Sequence, residues 1–174
     1  MTGRVPDGPR LTRALDEVRP DVGEIADGEV EAVVALWRTC GLTRPWNDPY
    51  RDLADARIGA TSTVLVARAS GARGTGEGAV RAGEVVATAM AGLDGHRGWL
   101  YYVAVDPRVQ GSGLGRQVVV AAEAWLAAQG ARAVRLMVRS TNEAVRGFYG
   151  HLGYVDQECV VLGRPLDAGP GAHR

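Results

Sequence analysis

The run VAVDPRVQGSGLGR at 103–116 holds the densest set of residues able to do chemistry, with Gln110 followed by Gly111, Gly113 and Gly115. A strand pattern ends at Val105, Asp106-Pro107 turns the chain, and the glycines open a helix. Glycine has no Cβ, so the backbone can come close to an anion. The first N–H groups of a helix have no intrahelical partner, and the helix dipole makes that end positive. Together these features make a cradle for a pyrophosphate. The competing readings are a plain turn with glycines for packing, a dinucleotide fold and a P-loop. The dinucleotide pattern wants G-x-G-x-x-G after a first strand and an acid at the end of the next one, whereas this loop is G-x-G-x-G, lies late, and its next strand ends in Val138-Arg139. No G-K-[ST] follows, so the P-loop pattern is absent.

Tyr149 offers different chemistry. A phenol with a pKa near ~10 keeps its proton at neutral pH and can donate it to a leaving group. Val145, Phe148, Tyr149 and Leu152 also form an apolar helix stripe, so packing is the other reading. Asn142, seven residues earlier, is well suited to cap that helix.

The elements that must hold these residues alternate in type. Val30, Val33, Val34 and Trp37 follow helical spacing, with Asp27 as the expected N-cap. Asp48-Pro49 starts a second helix running to about Ile58. Thr63–Arg68, Glu84–Ala91 and Trp99–Val105 read as strands, the first two separated by the Gly-rich hairpin loop 70–83. A helix from Leu114 to Gln129 turns Val118, Ala121, Ala122, Trp125 and Leu126 to one side, and Gly130 stops it. A strand at Ala133–Val138, a helix at Glu143–Leu152 and a last strand at Tyr154–Leu162 complete the chain. This order predicts an α/β fold of the mixed α+β kind around a mixed sheet. Residues 1–17 read as a disordered arm, 18–166 as one domain, and 167–174 as a flexible tail.

Composition excludes several classes. The 174 residues carry 20 Lys plus Arg and 20 Asp plus Glu, a formal net charge of zero that gives no bulk case for nucleic acid or an anionic membrane. Cys40 and Cys159, the 2 cysteines, have no ligand-like spacing to the 3 histidines, so no metal site and no disulfide scaffold is expected. With no membrane-spanning run and no signal-like N-terminus, the expectation is a cytoplasmic protein. A homodimer is the base-rate expectation for a soluble fold of this size.

Gln110-x-x-Gly113-x-Gly115 resembles the Q/R-x-x-G-x-G/A signature of the GNAT superfamily of N-acetyltransferases. The preceding Val103-Ala-Val-Asp-Pro107 is similar to that family's splayed fourth strand, and NEAVRGFYGHLGY at 142–154 resembles its second block. The likeness spans about residues 18–165. A narrower one, carried by Leu36-Trp37, the run RPWNDP at 44–49, Gly95–Gly98 and Tyr101-Tyr102, is to the small bacterial YpeA-like acetyltransferases. The resemblance implies a six- to seven-stranded, mostly antiparallel sheet splayed at the fourth strand and flanked by about four helices. It implies transfer of an acetyl group from acetyl-CoA to an amine of a small molecule or a protein, by direct attack. A module that binds acetyl-CoA without turnover is the alternative.

The same resemblance assigns residues. Backbone groups of Val103, Ala104 and Val105 would pair with the pantetheine arm as an added strand. Those of Gln110, Gly111, Ser112, Gly113, Leu114 and Gly115 would hold the pyrophosphate. Arg116 and Arg108 flank the loop, and can meet phosphates or remain solvated. Asn142 would contact the pantetheine as well as cap its helix, and Tyr149 would be the general acid. Trp46 and Asp48 lie where the family lines its acceptor cleft, as a stacking surface and an ammonium attractor, or as packing and helix cap. The run LMVR at 136–139 carries Met137 where the ribosomal N-terminal acetyltransferases have a glutamate. Tyr101, Tyr102, Asp94 and His96 remain as candidate bases. Strand alternation predicts that Tyr101 and Tyr102 face opposite sides, so at most one of them faces the acceptor, and Tyr101 is taken as that one.

Overall fold

Trp37, Val33 and Val34 are fully buried, and the core is built around them. They lie on one side of α1 (Val30–Thr39), at the helical spacing that placed them there. A computed structural model describes residues 21–76, 78–164 and 166. The expected arm (1–17) and tail (167–174) lie outside the described residues. The described chain divides into two units, one ending at Met137 and the other starting at Val138.

In the first unit, β1 (Asp21–Glu24), β2 (Ser62–Arg68), β3 (Val85–Leu93), β4 (Gly98–Val105) and β5 (Val134–Leu136) form one five-stranded sheet in sequence order. All neighbours are antiparallel except β4 and β5, which run parallel and pair only over Gly98–Leu100. α1 and α2 (Pro49–Ile58) cover one face, packing Trp37, Leu53 and Ala56 onto Val64, Val66, Met90 and Ala104. α3 (Leu114–Ala128) covers the other face through Val118, Val119, Ala122 and Leu126. Gly98 is required there: a Cβ on it would come within 2.7 Å of Leu126 Cδ1. Trp125, expected in that stripe, is only half-buried.

The second unit holds α4 (Glu143–His151). The strand expected at Tyr154–Leu162 does not form, and Val155, Val160, Val161 and Leu162 are exposed. β-propensity is realised only against a ladder partner, and none pairs with this segment among the described residues. β1 runs the other way: DVGE carries little strand signal and is ordered by pairing with β2. Among the described residues the sheet therefore has five strands rather than six or seven.

The start of α1 also differs from expectation. Asp27 begins a 3-10 turn (Asp27–Glu29), and it is the Glu29 carboxylate that accepts the Ala26 N–H, at 2.8 Å. Glu29 also takes Arg68 Nε at 2.6 Å and Nη2 at 2.7 Å, a two-pronged bond joining this turn to β2. The Arg68 hydrogen bond holds the Glu29 carboxyl below its usual 4.5. A carboxyl depressed in the folded state stabilises it fully above its unfolded pKa, and loses that contribution as pH falls through the folded value. Glu29→Gln is expected to cost about 1–2 kcal/mol at neutral pH, given side chains only 18–22% exposed. Variant and parent should converge below the carboxylate range. Urea unfolding at neutral and acid pH checks this; a deficit unchanged by pH contradicts the assignment.

Candidate active site

The loop between β4 and α3 begins with Asp106, 7% exposed, whose Oδ1 accepts the Arg108 N–H at 2.8 Å and caps the 3-10 turn Pro107–Val109. The Arg108 guanidinium donates to Asp106 Oδ2 at 2.6 Å, to Glu84 Oε1 at 2.5 Å and to the Ala79 carbonyl at 3.1 Å. It lowers the pKa of both carboxylates, through its hydrogen bond at Asp106 and after the Arg81 backbone bond at Glu84. Arg108 thus ties the β2–β3 hairpin loop to the turn, a role its sequence position did not reveal. Arg116 is exposed, with no ion-pair partner among the described residues.

Past this turn the backbone opens. Gly111 (φ +76°) and Gly113 (φ +83°) take left-handed conformations that side chains disfavour. Gly113 is the N-cap of α3, and Gln117 N–H makes the first helical bond, to Gly113 O at 3.1 Å. Among the described residues, no protein acceptor takes the N–H groups of Gln110 through Arg116. Seven successive residues therefore present unpaired donors at the positive end of a 15-residue helix. That is the donor set a pyrophosphate requires. Ser112 Oγ instead donates to Val109 O at 2.5 Å, bracing the loop.

β4 leads into this loop through a bulge. Met90 pairs with Tyr101 and Thr88 with Ala104, so Tyr102 and Val103 together oppose Ala89. Tyr102 takes φ +47°, rare for a residue with a side chain. The extra residue cancels the alternation. Tyr101 shares the face of Met90, and Tyr102 stacks on Trp37 with centroids 4.0 Å apart. Both tyrosines therefore lie on the α1/α2 side, against the expectation that they would diverge. Trp37 Nε1 donates to Thr88 Oγ1 at 2.9 Å, and Thr88 Oγ1 donates to Tyr102 O at 2.9 Å, which holds the bulge closed.

Beyond Leu100, β5 no longer pairs with β4. Asp106 N–H bonds Val86 O at 2.8 Å, so Val105–Ala87 is a non-hydrogen-bonded pair and Val105 turns its backbone groups to the open edge. Ala104, paired with Thr88, turns its own toward β3; of the expected pantetheine partners it is the one facing the wrong way. Val103 lies half-buried in the bulge. The Val105 carbonyl accepts the Gln110 side-chain amide at 3.1 Å and the Cys40 thiol at 3.4 Å. Burial pushes the Cys40 pKa up, so it stays a thiol.

On the α1–α2 connection, Trp46 is 77% exposed. Asp48 Oδ1 caps α2, accepting Tyr50 N–H at 2.9 Å and Arg51 N–H at 3.4 Å. Asp94 is taken up by its own turn: it accepts the N–H groups of His96 and Arg97, each at 2.7 Å, and Trp99 Nε1 at 2.9 Å. These bonds, led by the Arg97 N–H, depress its pKa to about 2, too low for a useful base. His96 is exposed in that turn.

In the second unit, Asn142 Oδ1 caps α4 by accepting Val145 N–H at 3.2 Å, leaving the amide NH₂ for another partner. Tyr149 is 8% exposed, edge-to-face with Phe148 and Tyr154 at 5.0 and 5.4 Å. Burial pushes its pKa up to about 12. Among the described residues, no group of three His, Cys, Asp or Glu side chains is placed to hold a metal ion, and no helix is long and apolar enough to cross a membrane.

Known proteins share this architecture. Residues 31–154 match the family described as acetyltransferase (GNAT). An acetyltransferase of Pectobacterium atrosepticum is 38% identical over 138 residues, covering 79% of this chain and 89% of the relative. One from Yersinia enterocolitica is 37% identical over the same shares. Among solved structures, an aminoglycoside N-acetyltransferase in complex with CoA superposes with a TM-score of 0.67 at 16% identity, covering 84% of this chain and 94% of its own, a likeness of fold. The chain belongs to the GNAT acetyltransferase family, and is an acetyl-CoA-dependent acetyltransferase.

Proposed function

We propose that the protein transfers the acetyl group of acetyl-CoA to a primary amine by direct attack in a ternary complex. The single observation that carries this is the row of unpaired N–H groups from Gln110 to Arg116, opened by the left-handed Gly111 and Gly113. These donors fit a pyrophosphate, and the Val105 edge fits an extended amide-bearing arm. When bound, acetyl-CoA supplies the activated carbonyl. Bond formation from the acceptor nitrogen to that carbon accompanies cleavage of the C–S bond. Tyr149 gives its phenolic proton to the departing sulfur, and the proton shed by the nitrogen returns through solvent to the phenolate. Asn142 uses its free NH₂ on the arm while its Oδ1 caps α4. Trp46 and Tyr101 are acceptor-side surfaces on this reading. Asp94, engaged by the donors of its own turn, is given no role as base on this reading.

An amine acceptor agrees with the chemistry for which the aminoglycoside acetyltransferase is named. The chain contains no lysine, so acceptor assays carry no background from its own side-chain amines. The test is acetyl-CoA with a panel of polyamines, aminoglycosides and peptide amines, reading released thiol and the acceptor mass. Gain of one acetyl group on an amine supports the reading. Tight CoA binding with no acceptor-dependent thiol release across the panel overturns it.

A further inference from the structure

Asp52 was not singled out by sequence, and its surroundings are unlike those of Asp55, the other carboxylate of α2, and of the N-cap Asp48. Its Oδ2 accepts the Tyr102 hydroxyl at 2.6 Å and the Asn47 amide at 3.3 Å. Its Oδ1 has no protein partner among the described residues, and the side chain is half-exposed. No arginine pairs with it among those residues. Arg44 donates instead to the Gly41 and Thr43 carbonyls, and Arg51 lies 3.8 Å from Asp55. Asp48 has its Oδ1 engaged in the helix cap.

The group that presents Asp52 is the strained one. Tyr102 at φ +47° carries a backbone cost, and such cost persists where the surroundings over-determine the conformation. Here the Trp37 stack and the Thr88 bond do so. The outcome is a fixed phenol holding one carboxylate oxygen, beside the bulge where β4 leaves β5. Tyr101 stands next to it on the same face, 40% exposed. An unpaired carboxylate oxygen beside an aromatic surface is the arrangement that attracts an organic cation.

We propose that Asp52, presented by Tyr102, is the residue that receives the positive charge of the acceptor, making the enzyme selective for cationic primary amines over neutral nucleophiles. This rests on the amine-transfer reading above. Asp52 acts here as a specificity determinant: it receives the ammonium on binding, the ammonium gives one proton to solvent before its nitrogen attacks, and Asp52 itself takes no proton in the step.

The experiment compares a primary alkylamine, charged at neutral pH, with a hydrazide of matched length, which is neutral there. In Asp52→Asn the ratio of kcat/KM for the amine to that for the hydrazide should fall by about tenfold or more, through KM. CoA affinity, read by calorimetry, should stay within about twofold of the parent. Tyr102→Phe keeps the Trp37 stack and removes only the hydroxyl; it should shift the ratio in the same direction, and it serves if Asp52→Asn folds poorly. Asp55→Asn, on the same helix, should leave the ratio unchanged. A parent-like ratio in both Asp52→Asn and Tyr102→Phe overturns the proposal, as does an equal fall in Asp55→Asn. If the parent acetylates no amine at all, it is the transfer reading that fails, and CoA binding by the same protein separates that case from misfolding.

Discussion

Replacing Tyr149 by phenylalanine is expected to lower kcat by about 100-fold or more while CoA affinity stays within about twofold of the parent. A positioned general acid contributes roughly 10²–10⁴ in rate. The substitution removes one oxygen and keeps the ring, so the edge-to-face contacts with Phe148 and Tyr154 persist and no cavity opens. No protein hydrogen bond is lost, because no acceptor takes the hydroxyl among the described residues. Stability should therefore be nearly unchanged, and a fall in kcat cannot be attributed to unfolding. The pH profile sharpens the test. Burial raises the phenol to about 12, so Tyr149 stays protonated across the working range and loses its proton only near that value. No alkaline fall in kcat below about pH 11 should be traceable to it. A phenylalanine variant that turns over like the parent would reduce Tyr149 to packing.

What the sequence made legible was local chemistry. The turn and the helix start around Gly111 and Gly113 could be read because they depend on a few neighbouring residues; that both glycines are left-handed was added by the structure. The stripe of α1 was legible for the same reason: Val33, Val34 and Trp37 repeat at helical spacing. Features that depend on a strand's partner were not. One inserted residue at Tyr102 places Tyr101 and Tyr102 on a common face, and nothing in the run WLYYVAV marks where the bulge falls. The same register decides that Val105 faces the open edge and Ala104 does not. β1 lacks a strand signal, and exists because β2 offers it a ladder. Val160, Val161 and Leu162 have the signal and lack a ladder among the described residues. Charges followed this pattern. Arg108 was read beside the phosphate loop, but Asp106 and Glu84 converge on it in space; Asp52 acquires its place only when the bulge brings a phenol to it.

Gly113→Ala offers the second large effect, and a direct measure of the cradle itself. Its φ of +83° puts an alanine in the left-handed region, at about 1–2 kcal/mol. A Cβ there meets no protein atom closer than Gln117 Nε2 at 3.9 Å, so steric damage to the fold is absent. The added methyl, and relaxation of the backbone away from the left-handed region, would both disturb donors that must converge on one anion. CoA binding is expected to weaken by about tenfold or more, a change of about 1.4 kcal/mol or above. Gly130 supplies the control. It terminates the same helix at φ +90° with no atom within 4 Å of an added Cβ, so Gly130→Ala imposes similar backbone strain at the opposite end. The two variants should lose similar stability in thermal unfolding, and only Gly113→Ala should lose CoA affinity in calorimetry. Equal affinity losses would mean that helix stability, rather than the head of α3, governs binding. An unaffected Gly113→Ala would remove the phosphate cradle from this loop.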